Sequence, residues 1–337
     1  SMSIEDSGLW KITGPLGKLL RITEFKMGTG SLWFEPTLAI ALDIGVVEIS
    51  EASFRVTFNT DAGGNLNGGP EFSLRGLVAK VDIPATIKGE GRIKIEDNGI
   101  LKAGIDATLI PIQTRASVAL AVGIPDPPPD FAPSLFMNLY GRVQFPGGIP
   151  LGPLPIAIHG FIGQVVINGN RDVADVEDVV AREIGWWRKD PEDKYEPEKG
   201  QYAFGVGVVV GTLPDASFSF SATGMVVVAF PDVEVILGVE VDILSVPDTT
   251  AKDKKEGNSA KITGLVVVNE DAVTVAVSAS YEIPKLLELK LPFGAHFPGS
   301  GANTYVRIGT DNGPGRSGEP VTITFLPDTL DLKVWSY

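Results

Sequence analysis

The sequence predicts a mainly β protein: a large twisted antiparallel sheet, folded or sandwiched on itself, with one amphipathic helix near residues 172–188. Three observations support this prediction. Most of the chain alternates apolar and polar residues with a period of two, turn sequences recur at hairpin spacing, and only one segment changes to a period of three to four. Period-two alternation places one set of side chains on a dry face and the other in water.

Two kinds of strand can be distinguished. The alternating kind is clearest in residues 53–58, 287–291 and 321–325. The other kind is apolar at every position, as in residues 206–210, 225–230 and 265–268. Strands that are apolar on both sides need cover above and below. We therefore expect the second kind to be central strands or regions of the sheet roofed by another layer.

One segment predicts a helix. From Asp172 to Trp187, apolar residues recur at steps of three and four, acidic residues fill the first turns, and Arg188 and Lys189 follow the last. Acid at the start and base at the end both complement the helix dipole. The polar stretch that follows, residues 189–200, predicts a surface loop.

The 337 residues are enough for one large β domain or two ordinary ones. We favour a single large β unit over residues 3–337, cut from a longer protein. A joint is predicted at residues 124–130, where closely spaced prolines must be extended. This joint would separate an N-terminal β part, residues 3–123, from a C-terminal β part with the helix, residues 131–337.

The composition excludes several classes of function. With 28 basic and 42 acidic residues the net charge is −14, which argues against a nucleic-acid partner because no basic stripe is present to displace counterions. The absence of cysteine excludes disulfides, thiol catalysis and thiolate metal sites. Nucleotide-binding glycine motifs are absent, and no cofactor is predicted. No apolar stretch reaches about 18 residues, so the chain is not expected to be integral to a membrane.

Metal binding has little support in the sequence. The two histidines, His159 and His296, are too few for a histidine-rich site. Oxygen-rich turns that contain Asp311, Asn312 and Asp172 are weak candidates for calcium. Such Asn-Gly and Asp-Asn-Gly sequences are also common hairpin turns, and we favour that interpretation.

Aromatic residues give the clearest indication of a binding site. Trp186, Tyr195 and Tyr202 flank the polar stretch after the predicted helix, and flat rings there can stack on sugars or anchor a protein partner. Trp187 falls on the apolar face of the helix, so it is expected in the core. Trp186 is then the freer of the two tryptophans.

An enzymatic alternative rests on acidic residues. Glycoside hydrolysis requires two carboxyl groups a few ångströms apart. Glu234, Glu240 and Asp242 lie among apolar strand residues, where desolvation would raise a carboxyl pKa. Such residues can equally occupy the wet face of a strand.

Part of the chain resembles a known family. Between residues 133 and 172 a strand leads into a Pro/Gly segment with Pro150-Leu151-Gly152, then into a Gly-rich apolar run ending in Asn170-Arg171. This order resembles a family of uncharacterised, very large bacterial β-rich proteins known only as a domain of unknown function. Further similarity covers residues 204–207, 226–238 and 293–298, within about residues 70–310. The resemblance implies a module of a long β assembly and provides no catalytic residue.

These observations favour a non-enzymatic structural or binding module of a large secreted, surface or particle-associated β scaffold. A sheet face of this module could hold a hydrophobic ligand. The alternative is a polysaccharide-acting enzyme that uses paired carboxylates and aromatic platforms. The expected partners are neighbouring segments of the parent protein or other subunits, with a lipid or glycan as ligand. A secreted or cell-surface location is favoured.

Overall fold

The computed structural model describes residues 2–5, 20–28, 32–43, 47–58, 71–125, 134–176, 178–213, 220–243, 259–283, 286–299, 304–309, 320–325 and 330–334. These residues form a mainly β structure with one α-helix, which confirms the predicted fold class.

The helix α1 spans Val179–Arg188, and a single 3-10 turn follows it at Pro191–Asp193. The strands are β1 (Met2–Glu5), β2 (Leu20–Gly28), β3 (Leu32–Asp43), β4 (Val47–Phe58), β5 (Glu71–Ile83), β6 (Ile87–Ile95), β7 (Leu101–Leu109), β8 (Thr114–Gly123), β9 (Phe136–Pro150), β10 (Ile156–Arg171), β11 (Tyr195–Thr212), β12 (Phe220–Phe230), β13 (Glu234–Ile243), β14 (Ser259–Val268), β15 (Ala272–Ile283), β16 (Leu287–Pro298), β17 (Tyr305–Ile308), β18 (Val321–Phe325) and β19 (Leu330–Val334).

The strands form one antiparallel meander. From β1 to β16 each strand pairs with the next in sequence. β17 pairs with one end of β16 and β18 with the other, and β19 pairs with β18. The sheet is therefore eighteen strand positions wide. Tight turns make this order possible, as at Gly99, whose φ of +80° suits glycine because it has no Cβ.

The two faces of the sheet have different surroundings. Side chains alternate along a strand, and directly opposed residues of antiparallel strands share a face. On one face, which we call the helix face, α1 packs on β14, β15 and β16, and the 3-10 turn packs on β7, β8 and β9. The opposite side is the open face. The core lies under α1 and includes Val166, Val209, Val227, Ile236, Leu265, Val180, Ile184 and Trp186.

The helix begins later than the sequence indicates. The Asp178 carboxylate accepts a hydrogen bond of 2.8 Å from the Ala181 backbone N–H and caps the first turn. Residues 172–176 precede the helix and are not helical; the Asp172 backbone N–H donates to the Lys194 carbonyl at 2.9 Å. Asp172 and Asp175 are therefore outside the helix.

α1 approaches the sheet very closely at Gly238 in β13. A Cβ at this position would lie 2.2 Å from the ring of Trp187. Only glycine leaves room for the indole there. The absence of a side chain at Gly238 thus determines where the end of α1 packs on the sheet.

Two sequence predictions need correction or lie outside the described residues. The surface loop predicted at residues 189–200 is wrong for its second half, because β11 begins at Tyr195. The joint at 124–130 lies mostly outside the described residues, although β8 and β9 on either side pair directly. No helix in the described ranges is long and apolar enough to cross a lipid bilayer.

Candidate functional site

Three rows of directly opposed residues cross the open face, each over eleven strands. We call them the apolar rows. The first is Ile105, Val118, Gly141, Gly163, Val206, Val226, Leu237, Val266, Val275, Ala295 and Val306. The second is Ile93, Ala103, Leu120, Leu139, Val165, Phe204, Val228, Val235, Val268, Val273 and Phe297. The third is Ala107, Ala116, Val143, Phe161, Val208, Gly224, Val239, Gly264, Val277, Phe293 and Ile308.

The apolar rows are exposed to solvent. Val206 is 70% exposed, Val306 59% and Phe204 52%. At about 4.8 Å for each strand and 7 Å for each row, the rows form a band of roughly 53 by 21 Å, on the order of 1,000 Å². The largest apolar patch on a typical soluble monomer is about 300–600 Å². Central strands such as residues 206–210 are thus covered on one face only, so the prediction of cover on both faces is wrong.

The first apolar row contains a notch. Gly141 and Gly163 face each other across β9 and β10, and a Cβ on either would meet no atom within 4 Å. Val118 and Val206 stand on either side of this pair along the row. The floor of the notch is therefore bare backbone, and its walls are exposed branched side chains.

A buried charge cluster lies on the helix face where β10 ends. The Arg171 guanidinium donates to Glu183 of α1 and, at 3.1 Å, to Glu234 of β13. The guanidinium carbon Cζ of Arg171 lies 4.2 Å from the ring centre of Trp186. Burial would lower the pKa of Arg171, but the two carboxylates more than offset it and raise that pKa above its ordinary value. The cluster ties the helix to two strands.

Next to this cluster is a cavity of about 160 Å³ between the segment 186–194 and strands β9–β13. Arg142, Tyr140 and Lys194 contribute polar groups to its wall. Burial lowers the pKa of Lys194 to about 8. Burial also raises the pKa of Tyr140, against the opposing effect of Arg142. Cationic groups and apolar side chains therefore line the same cavity on the helix face.

The structure brings two of the three predicted aromatic residues together in the core, Trp186 and Tyr195, and places Tyr202 apart from them. Trp186 is only 2% exposed, so it lies in the core and is not the freer tryptophan. Trp187 is partly buried against that core. Tyr195 is buried and meets Trp186 edge to face at 6.0 Å, and its hydroxyl has no partner among the described residues. Tyr202 is exposed on the open face, opposite Phe230.

The predicted carboxylates share the helix face of β13 but are not all close together. Glu234 pairs with Arg171 at 3.1 Å, and Glu240 pairs with Lys261 at 2.8 Å and also lines the cavity. Glu240 lies six positions after Glu234 on the strand, so their backbones are about 20 Å apart. This distance is too long for a catalytic pair. Asp242 follows two residues after Glu240, opposite Lys261.

Metal candidates find other partners or fall outside the described residues. The Asp172 carboxylate forms an ion pair with Lys189. Asp311 and Asn312 lie outside the described residues. Within the described part of the chain, no three His, Cys, Asp or Glu residues are grouped as metal ligands. His159 is buried, and His296 contacts the Thr274 hydroxyl at 3.0 Å.

Sequence reasoning anticipated a sheet face that could hold a hydrophobic ligand, but it did not identify the residues of that face, and it did not identify the cavity. The signal for the open face was present, since β6 to β17 are apolar at alternate positions, but the sequence does not say which side α1 covers. Arg142 occurs as a single cation inside a strand, and Lys194 in a polar stretch. Only the fold brings these two cations to one cavity.

No protein-family model, curated protein or solved structure matches the chain. The resemblance to very large bacterial β-rich proteins stays a prediction, and function has to be inferred from the geometry of the chain itself.

Proposed function

We propose that this chain is a non-enzymatic binding module of a large β scaffold, and that its open face holds the hydrocarbon chains of a lipid. The observation that carries the proposal is the set of three apolar rows, which run over eleven strands without a polar side chain. Exposed apolar bands of this size mark binding surfaces.

The residue types in the apolar rows favour hydrocarbon over a protein partner. Protein interfaces are enriched in Trp, Tyr, Met and Arg, and a few such residues carry most of the binding free energy. The apolar rows contain only Val, Ile, Leu, Ala, Gly and Phe. A surface of this kind offers contact area without directional polar groups, which suits acyl chains of varied length.

The notch adds shape to this surface. An acyl chain laid over Gly141 and Gly163 can approach the backbone between Val118 and Val206. Each buried methylene contributes about 0.8 kcal/mol, so ten methylenes contribute on the order of 8 kcal/mol before the entropy of binding is subtracted. The scaffold role and a secreted or cell-surface location belong to the same proposal.

The test is lipid capture by protein purified without detergent. Native mass spectrometry followed by solvent extraction identifies co-purified lipid, and uptake of a fluorescent phosphatidylethanolamine from phosphatidylcholine vesicles measures binding. We expect Val206→Lys and Gly163→Leu to reduce bound lipid about tenfold, because one brings a charge into the apolar band and the other fills the notch. Val206 is largely exposed, so its replacement leaves the fold intact.

Matched substitutions away from the open face serve as controls. Val173 is an exposed valine in the segment before α1, and Gly185 in α1 has open space at its Cβ. Val173→Lys and Gly185→Leu are expected to capture as much lipid as the wild type. Equal capture by Val206→Lys and wild type would reject the proposal. A lipid-free dimer that Val206→Lys dissociates would also reject it and assign the open face to a second copy.

The alternative of a polysaccharide-acting enzyme stays a prediction. Glu240 and Asp242 are the only pair of the three candidate carboxylates with a suitable separation along β13. A polysaccharide hydrolysis screen with Asp242→Asn as the comparison addresses this alternative directly.

A further inference from the structure

The cavity between the segment 186–194 and strands β9–β13 has the features of a small anion site. We infer that it binds a small organic carboxylate, with Arg142 and Lys194 contacting the carboxylate and the apolar wall contacting its body. This site lies on the helix face, on the opposite side of the sheet from the apolar rows, and does not depend on the lipid proposal.

Arg142 lines the cavity and has an unused donor. Its Nε is buried without a hydrogen-bond partner, its Nη2 lies 3.4 Å from the Thr223 hydroxyl, a long contact, and the guanidinium also interacts with the Tyr140 hydroxyl. The carboxylate in the same row of the sheet, Asp106, is already held by Arg115 through hydrogen bonds of 2.8 and 2.6 Å. A buried donor without an acceptor is unfavourable, and an incoming carboxylate would satisfy it.

Lys194 is the second cation without a carboxylate partner of its own in the described structure. Its Nζ donates to the Trp187 carbonyl and lies 4.9 and 4.7 Å from the ring centres of Trp186 and Trp187. The nearest acidic groups are engaged elsewhere: Glu240 pairs with Lys261 at 2.8 Å, and Asp190 lies 3.7 Å from Arg92.

The remaining wall defines the body of the ligand. Ile162, Met225 and Val227 line the cavity together with Trp187. Its volume of about 160 Å³ is close to that of an engineered cavity of about 150 Å³ that binds benzene. A carboxylate with a compact apolar body of about six carbons therefore fits. The protein carries a net charge of −14, so attraction of an anion must come from the cations that line the cavity: Arg142, Lys194 and Lys189, of which Lys189 already pairs with Asp172.

The first test is calorimetry on the full chain with three probes: benzoate, its neutral analogue benzyl alcohol, and inorganic phosphate. We expect benzoate to bind and benzyl alcohol to bind about tenfold more weakly, because only benzoate satisfies Arg142. Phosphate binding that equals or exceeds benzoate binding would overturn the assignment in favour of an inorganic anion. No heat of binding with benzoate would overturn the site itself.

A matched pair of arginine variants locates the site. Arg142→Gln is expected to weaken benzoate binding about tenfold. Arg188→Gln removes an arginine that donates to Ser278 outside the cavity, and binding should not change. Should Arg142→Gln fail to fold, Lys194→Gln serves as the second variant with the same expected loss. Unchanged affinity in a folded variant of either residue contradicts the inference.

The pH dependence of binding needs no variant. The charged and titratable groups around Lys194 are Glu240 from β13, Arg171 from β10 and Asp190 beside the 3-10 turn, with Arg142, Tyr140 and Lys189 also lining the cavity. Lys194, whose pKa is about 8, loses its charge above that pH. Benzoate affinity should therefore fall as pH rises through about 8, and Lys194→Gln should abolish this change. A flat wild-type profile from pH 7 to pH 9 would exclude Lys194 from the site.

Discussion

Replacement of Arg171 by alanine is expected to lower the free energy of unfolding by about 3 kcal/mol, because it removes the buried counter-ion of the Glu183 carboxylate and leaves only a more exposed one. Glu183 is 3% exposed; it pairs with Arg171, which is 8% exposed, and at 2.9 Å with Arg182, which is 31% exposed. The substitution also removes the contact with Glu234 and the stacking of the guanidinium on Trp186. Two strands and the helix thus lose their common contact at once.

Urea denaturation at pH 7 measures this loss. Arg188→Ala removes an exposed arginine from the same helix and is expected to cost less than about 1 kcal/mol. The triple variant Arg171→Met, Glu183→Gln, Glu234→Gln should recover much of the stability, since it removes the buried charges together. A loss below about 1 kcal/mol for Arg171→Ala would mean that Arg182 and solvent together compensate the charge of Glu183.

Replacement of Lys194 by methionine is expected to stabilise the protein at pH 7 by about 2 kcal/mol. The pKa of Lys194 is 10.5 when fully solvated and about 8 in the fold, chiefly through burial. Keeping the buried ammonium charged at neutral pH therefore lowers the free energy of unfolding by about 3 kcal/mol. Methionine removes that cost but loses the hydrogen bond to the Trp187 carbonyl, about 1 kcal/mol.

The sign of this effect depends on pH. Between pH 8 and 10.5 the unfolded chain binds more protons at Lys194 than the folded chain, so wild-type stability gains from this residue as pH rises. Above about pH 10.5 the amine is neutral in both the folded and the unfolded state. The Lys194→Met variant should then be less stable than the wild type by about 1 kcal/mol. Denaturation of both proteins at pH 7 and above pH 10.5 checks the reversal. A difference that stays constant with pH would refute the buried-ammonium explanation.

Local patterns in the sequence were enough to predict the strands. Alternation at residues 53–58 and 287–291 corresponds to β4 and β16, and the three-to-four spacing before Trp187 corresponds to α1. The start of the helix could not be predicted from charge alone. Asp178 caps it, whereas Asp172 bonds through its backbone to Lys194 at the far end of the segment.

The candidate sites depend on information that the sequence does not carry locally. A valine such as Val206 looks the same in a sequence whether another layer covers it or solvent does. The expectation for the two tryptophans failed because Trp186 faces the Arg171 cluster and Trp187 rests on Gly238, a residue of another strand. Arg142 and Lys194 are more than fifty positions apart, and only pairing of the strands between them makes them neighbours.

The meander order also bears on how the chain reaches its fold. Because strands pair with their neighbours in sequence, contact order is low for so large a sheet, and the entropy of closing each loop is small. Each hairpin can close as soon as its second strand has left the ribosome. The strand at the edge of the sheet is then available to pair with the next strand in the sequence. The parts of the apolar rows on β6 to β10 are consequently exposed before β11 to β17, which carry the rest of the rows, have been synthesised. We expect the nascent chain to require a chaperone or an amphiphile on its open face throughout translation.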